Sequence, residues 1–114
     1  MREFGLDKRH KCIESKSYNA LSELLKEDIF YDFIFIDGWH KFDYTLIDFF
    51  YADKLLKVGG SIIIDDALHK GVSKTVNYIN SNYGHYNKVN SPITVASYMK
   101  IGDDKRAWSY HINF

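Results

Sequence analysis

The sequence has one cysteine and one proline among its 114 residues, and it carries no net charge. A single cysteine excludes a disulfide within the chain and a zinc site made of cysteines alone, so we expect a reduced, cytoplasmic setting. Fifteen basic residues balance fifteen acidic ones, and no overall field favours nucleic acid or an anionic membrane as a partner. No apolar run approaches the roughly 18 residues of a transmembrane helix. The N-terminus is too charged for a signal peptide.

The sequence is 46% hydrophobic and 17% aromatic. This composition predicts one folded domain with one core over residues 1–114. Two apolar runs without alternation, at 33–36 and 61–64, are typical of strands covered on both faces. A weaker strand is predicted at 10–14. Apolar residues recur at helical spacing in three further segments: 17–27, 42–56 and 72–83.

The order of these elements predicts a parallel sheet with right-handed crossovers. Gly59 and Gly60 stand where the middle helix is expected to stop. The last third differs, because 85–90 and 93–101 resemble two strands joined by a tight turn at Ser91-Pro92. A parallel sheet that finishes with an antiparallel pair is therefore expected.

Acidic residues follow both central strands, Asp37 after the first and Asp65-Asp66 after the second. Ligands of open α/β sheets bind beyond the carboxyl ends of the strands, and neighbouring strands lie roughly 4.8 Å apart. Carboxylates gathered there repel one another unless a cation, a proton or hydrogen-bond donors relieve them. Mg²⁺ takes oxygen ligands of this kind. His40, three residues after Asp37, is a candidate general base beside such an ion.

The stretch FIFIDGWHKFDYTLIDFFYADKLLKVGGSIIIDD resembles the central part of class I S-adenosylmethionine-dependent methyltransferases. It is most similar to the metal-dependent O-methyltransferase-like branch, which has an IDG-x-H strand end, then LLK-x-GG, then a strand ending in DD. IESKSYNALSELL is similar to the strand and helix upstream, and KIGDDKRAWSYHINF to the end of the same branch. The resemblance implies a Rossmann-like α/β sheet with helices on both faces.

The resemblance also implies the roles of individual residues. Lys16 and Ser17 match the loop against the adenine, and Asp37, Gly38 and Trp39 match the strand end along the methionine part of S-adenosylmethionine. In metal-dependent relatives the first Asp and the acidic pair hold Mg²⁺, which implies ligands at three positions: Asp37, Asp65 and Asp66. Asp37 and His40 are the implied catalytic residues, and His69 is an alternative base. The implied substrate is a hydroxyl of a small molecule or a sugar.

The chain departs from the family pattern at its start. No G-x-G motif follows a strand among its seven glycines, so the chain is expected to match only the C-terminal two thirds of such a domain. Without the Gly-rich segment, the strand at 33–36 is expected to have an open edge. We therefore expect self-association, or a complementing chain at that edge.

Other interpretations of the same residues stay open. Asp37 could cap the following helix, one of the paired acids could be a solvated turn residue, and Trp39 could be core. Lys16 could be an ordinary solvated lysine. His10, His85 and His111 receive no ligand role. Beside the methyltransferase, two hypotheses remain: a non-catalytic remnant or interaction module that needs a partner chain, and a metal–carboxylate site with other chemistry.

Overall fold

The computed structural model describes residues 17–38 and 40–114, and these form an α/β fold. The strand predicted at 10–14 lies outside the described residues. Among the described helices, none is long and apolar enough to cross a membrane. The elements are, in chain order, α1 (Ser17–Lys26), β1 (Tyr31–Ile36), α2 (Phe42–Leu55), β2 (Leu56–Ile64), α3 (Lys70–Asn82), β3 (Tyr86–Val89) and β4 (Ala96–Lys100).

The four strands form one sheet in the order β1-β2-β4-β3. β1 and β2 are parallel, whereas β4 runs antiparallel to both β2 and β3. The prediction of parallel strands followed by an antiparallel pair is confirmed. The link between β3 and β4 is longer than the turn predicted at Ser91-Pro92. It spans residues 90–95, and the Val95 amide donates to the Pro92 carbonyl at 3.1 Å.

The glycine pair does not end α2, as the sequence had suggested. The helix ends at Leu55, Leu56 is already extended with φ −88° and ψ 132°, and both glycines lie inside β2. The ladder with β1 is irregular here, since its register shifts between Tyr31 and Phe33. Gly59 takes a φ of +90°, which only glycine adopts without cost. The glycine pair therefore allows a bulge in β2.

One face of the sheet carries the core. α2 packs against α1, α3 and both parallel strands, and one buried cluster joins helix and strand side chains. Its largest members are Ile36, Phe49, Leu56, Ile62, Ile64, Ile79, Tyr83, Tyr86 and Tyr98. Burial of this set stabilises the fold mainly through the hydrophobic effect.

The other face of the sheet is open in the described part of the chain. We call it the open sheet face and define it by Phe33, Phe35, Ile63 and Met99, which the register aligns on one side. Phe33 is 55% exposed and Phe35 is 49% exposed. Among the described helices, α2 and α3 supply core residues on the opposite face, and the expected helices on the second face stay a prediction. Strand alternation sends every second side chain of β1 and β2 to the open sheet face.

Candidate functional site

The acidic residues gather at the carboxyl ends of β1 and β2. Ile36 and Ile64 are register partners, so the two strands end level. The Asp65 amide donates to the Ile36 carbonyl at 2.9 Å and extends the ladder by one step. One carboxylate oxygen each from Asp37, Asp65 and Asp66 lies within 4.8 Å of the other two. The structure thus brings together the three acids that the sequence singled out, and we call them the acidic triad.

Asp66 owes its position to an unusual backbone. Its φ is 55°, in the left-handed region that Asp tolerates better than most residues. The His69 amide donates to the Asp66 carbonyl at 3.0 Å, and the Ala67 amide donates to Thr94 at 2.9 Å. This turn reverses the chain between β2 and α3 and directs it back across the end of β1.

His40 lies against both Asp66 and His69. Its Nε2 is 2.7 Å from Asp66 Oδ2, and its ring stacks on the His69 ring with centroids 3.8 Å apart and planes at 20°. A carboxylate can only accept, so Nε2 carries the hydrogen and Nδ1 of the neutral ring carries the lone pair. The arrangement makes Nδ1 the proton-accepting nitrogen of His40.

The two histidines are held by close contact between backbones. A side chain at Gly71, in the first turn of α3, would overlap the His40 carbonyl oxygen and the Phe42 amide. Thr75, fully buried in the next turn, donates its hydroxyl to the Phe42 carbonyl at 3.2 Å. Glycine at 71 therefore permits α3 to touch the segment between β1 and α2, and this contact sets His40 beside His69.

The cofactor residues implied by the resemblance are described only in part. Gly38 lies in the loop after β1, and a Cβ there would come 3.3 Å from Oδ2 of Asp48, a buried residue of α2. Ser17 is the first residue of α1. Lys16 and Trp39 fall outside the described residues, so their roles stay predictions.

A second polar cluster lies at the opposite end of the sheet. Asp53 Oδ1 accepts from the Tyr86 hydroxyl at 2.7 Å, lies 3.0 Å from His85 Nε2 and is 3.4 Å from the Lys100 ammonium. The side chains of Asp53, His85 and Lys100 are each less than one-tenth exposed. Burial, together with Asp53, raises the pKa of Tyr86 well above its usual value. The sequence offered no indication of this network, because its members are far apart in the chain.

Arg106 binds Asp104, which lies next to that cluster. Its guanidinium binds both oxygens of Asp104, at 2.8 and 2.7 Å, and stacks 4.0 Å from the Tyr83 ring centre. The Arg106 bonds lower the pKa of Asp104 to about 2. One ligand atom each from Asp53, His85 and Asp104 lies within 4.8 Å of the other two, a spacing that could hold a metal ion. However, Lys100 and Arg106 already neutralise the two carboxylates. This cluster is best explained as structural.

A pocket of about 620 Å³ lies beside the acidic triad, between α3, β3 and the 90–95 link. Ala67, the residue after Asp66, forms part of its wall. The volume is within the range of small-molecule sites, about 300–1,000 Å³. The polar lining comes from Lys88, Asn90 and Ser91.

Comparison with known proteins agrees with this architecture. The MycE methyltransferase from the mycinamycin biosynthetic pathway, solved in complex with Mg, SAH and mycinamycin VI, superposes with a TM-score of 0.63 at 17% identity. The match covers 94% of this chain and 36% of that chain, and at this identity it shows a shared fold. No curated protein matches. The family model Methyltransf_24, described as a methyltransferase domain, matches residues 1–67, more than half of the sequence. The chain therefore belongs to this methyltransferase-domain family.

Proposed function

We propose that this chain takes part in S-adenosylmethionine-dependent methyl transfer to a hydroxyl oxygen of a small molecule or sugar, assisted by Mg²⁺. The observation that carries the proposal is the acidic triad with His40 beside it, at the carboxyl ends of the parallel strands of a methyltransferase-family chain. This edge is where open α/β sheets bind their ligands. The chain spans 36% of the MycE chain, so the activity proposed is that of a domain to which these residues contribute.

The acidic triad fits a hard divalent cation. Its donors are all carboxylate oxygens, and three like charges at this spacing favour the binding of a cation. When bound, Mg²⁺ would orient the substrate hydroxyl and make it more acidic. MycE, which shares the fold, was solved with Mg and SAH, and this supports the assignment.

His40 would receive the proton of the substrate hydroxyl. Its Nε2–H bond to Asp66 leaves the lone pair on Nδ1, and Asp66 stabilises the imidazolium that forms. The oxygen gains the methyl group as it loses its proton, while the bond between methyl and sulfur breaks. Correct alignment of the two reactants supplies much of the rate in such a displacement.

The proposal assigns the methyl donor to the loop beyond β1. Asp37, Gly38 and Trp39 would line its methionine part, and Lys16 and Ser17 would lie by the adenine. The neighbouring pocket, walled by Ala67 and the 90–95 link, would accept part of the hydroxyl substrate.

Titration calorimetry with Mg²⁺ tests the metal half of the proposal. Asp37→Asn should weaken Mg²⁺ binding by at least about tenfold, the scale on which even outer-shell changes act. Asp32→Asn is the matched control, because Asp32 lies in β1 with its side chain 85% exposed and should bind Mg²⁺ as the unmodified chain does. Equal affinity in all three proteins would contradict the assignment.

A second candidate function is association with a partner chain, and the open sheet face favours it. β1 is an edge strand of the described sheet, and Phe33 and Phe35 beside that edge are half exposed. An unpaired strand edge next to apolar surface is a template for another chain. Association and catalysis are compatible, since the acidic triad lies at the strand ends.

A further inference from the structure

His69 forms a second cluster of ligand atoms that the proposed reaction does not use. One ligand atom each from His40, Asp66 and His69 lies within 4.8 Å of the other two. This cluster shares Asp66 with the acidic triad, but two of its three donors are imidazole nitrogens. We call it the His–Asp–His cluster.

The donor types of the two clusters select different ions. Mg²⁺ prefers oxygen and accepts imidazole reluctantly. Imidazole nitrogen suits first-row transition ions such as Co²⁺, Ni²⁺ and Zn²⁺, and two histidines with one carboxylate form a recurrent ligand set with open positions for water. The chain therefore has two sets of ligand atoms that share the Asp66 carboxylate. The acidic triad suits hard ions, and the His–Asp–His cluster suits softer ones.

The ligand atoms of the His–Asp–His cluster lie within 4.8 Å of one another, so side-chain rotation can bring them around one ion. Bonds of about 2.0–2.1 Å at tetrahedral angles place ligand atoms roughly 3.3 Å apart. The stacked rings hold their nitrogen lone pairs in nearly parallel planes, so at least one imidazole must rotate to reach the same ion. The side chains of His40 and Asp66 are 46% and 39% exposed, which leaves room for this rotation. The same exposure leaves an entry path from solvent.

The backbone holds the cluster in place without an ion. Gly71 brings α3 against the His40 carbonyl, and the His69 amide bonds to the Asp66 carbonyl at 3.0 Å. The backbones of both histidines are therefore fixed relative to Asp66 through main-chain contacts. Only side-chain rotation remains when an ion binds, and a fixed backbone favours affinity.

We propose that His40, Asp66 and His69 form a binding site for a first-row transition ion, which differs from the Mg²⁺ site in two of its three ligands and excludes Mg²⁺ when it is occupied. An ion in this site takes Asp66 from the acidic triad and occupies a ring nitrogen of His40. In its present orientation, His40 then cannot act as the proposed base. The binding itself does not depend on methyl transfer.

Co²⁺ titration tests the proposal, because the visible absorption of bound Co²⁺ reports ligand type and geometry without any activity assay. The proteins are the full chain and three variants: His69→Gln, Asp37→Asn and His111→Gln. His69→Gln should weaken Co²⁺ binding by more than about tenfold and leave Mg²⁺ binding unchanged in calorimetry. Asp37→Asn should do the opposite, so the ratio of the two dissociation constants moves in opposite directions in these variants.

His111→Gln is the matched control, since it removes an exposed histidine of the tail. It should keep the Co²⁺ spectrum and affinity of the unmodified chain, and Zn²⁺ should displace Co²⁺ from both. The proposal is overturned if His69→Gln binds Co²⁺ as tightly as the unmodified chain, or if His111→Gln loses as much affinity as His69→Gln. A failure of Mg²⁺ binding in every protein would contradict the proposed function and leave this result intact.

Discussion

Asp66 connects several parts of the candidate site through its backbone and its side chain. Its left-handed φ of 55° turns the chain, its carbonyl anchors His69, and its carboxylate lies 2.7 Å from His40. A carboxylate beside an imidazole orients the ring and stabilises its charged form. The residue therefore links the acidic triad to His40, and its placement depends on a strand end, a turn and a helix start together.

The pair of Asp104 and Arg106 makes a prediction about acid stability. Because the two guanidinium bonds lower the pKa of Asp104 from 3.8 to about 2, the pair stabilises the fold above pH 3.8 and loses this contribution as the pH falls through 2. Asp104→Asn should lower the free energy of unfolding near neutral pH. It should also flatten the decline in stability between pH 4 and pH 2, measured by urea denaturation.

Asp103→Asn provides the control for that experiment. It removes the neighbouring carboxylate and leaves the two bonds between Asp104 and Arg106 in place. This variant should keep the acid slope of the unmodified chain. The same flattening in both variants would show that the Arg106 pair is not its cause.

At the scale of elements, the sequence predicted the strands better than the contacts between their ends. The apolar runs before Asp37 and Asp65 identified β1 and β2 and placed the acids at the sheet edge, because strand ends follow from local pattern. The stacking of His40 on His69 could not be predicted in this way. It depends on a left-handed residue at 66 and on a helix approach that only Gly71 permits.

The glycine pair shows why a local pattern can mislead. Gly59-Gly60 after an apolar helix is typical of a helix stop, yet the chain becomes extended from Leu56 onward because Leu56 pairs with Tyr31.

The buried network around Asp53 is even harder to predict from a local pattern. Lys100 and Asp53 are 47 residues apart, and no periodicity connects a helix residue with the end of a distant strand.

Gly71→Ala tests how far the site depends on the contact between α3 and the segment after β1. The added methyl group would overlap the His40 carbonyl and the Phe42 amide, so one element must shift. We expect a lower melting temperature and weaker Co²⁺ binding, because His40 moves away from Asp66 and His69, whereas Mg²⁺ binding by the acidic triad should change less. Thermal unfolding and metal titration on the same protein measure both effects.

Gly84→Ala is the matched control, since a Cβ at Gly84 meets no atom within 4 Å. This variant should keep the metal affinities of the unmodified chain. If Gly71→Ala were also to bind Co²⁺ normally, the close backbone approach would not be what positions His40.

At the scale of the whole molecule, the sheet is covered on one face by α1, α2 and α3 and is open on the other in the described residues. Phe33 and Phe35 of the open sheet face lie on the edge strand β1. The chain also corresponds to 36% of the MycE chain. Apolar surface beside an unpaired edge favours association of one chain with another.

Sedimentation velocity measures that association directly. The unmodified chain should self-associate as its concentration rises, and Phe33→Glu with Phe35→Glu should shift it toward monomer, because charge on an open sheet face opposes pairing. Trp108→Glu is the control, since Trp108 is 98% exposed and lies after the last strand, in the tail. A monomeric unmodified chain at every concentration would contradict the expectation.

We propose that the acidic triad belongs to a site for a methyl donor and Mg²⁺. Calorimetric titration of S-adenosylmethionine into the folded chain, with and without Mg²⁺ and repeated with Asp37→Ala, tests this proposal. We expect S-adenosylmethionine to bind, Asp37→Ala to weaken that binding, and SAH to bind at the same site. No binding of either ligand, in a sample shown to be folded by circular dichroism, would contradict the proposal for this chain.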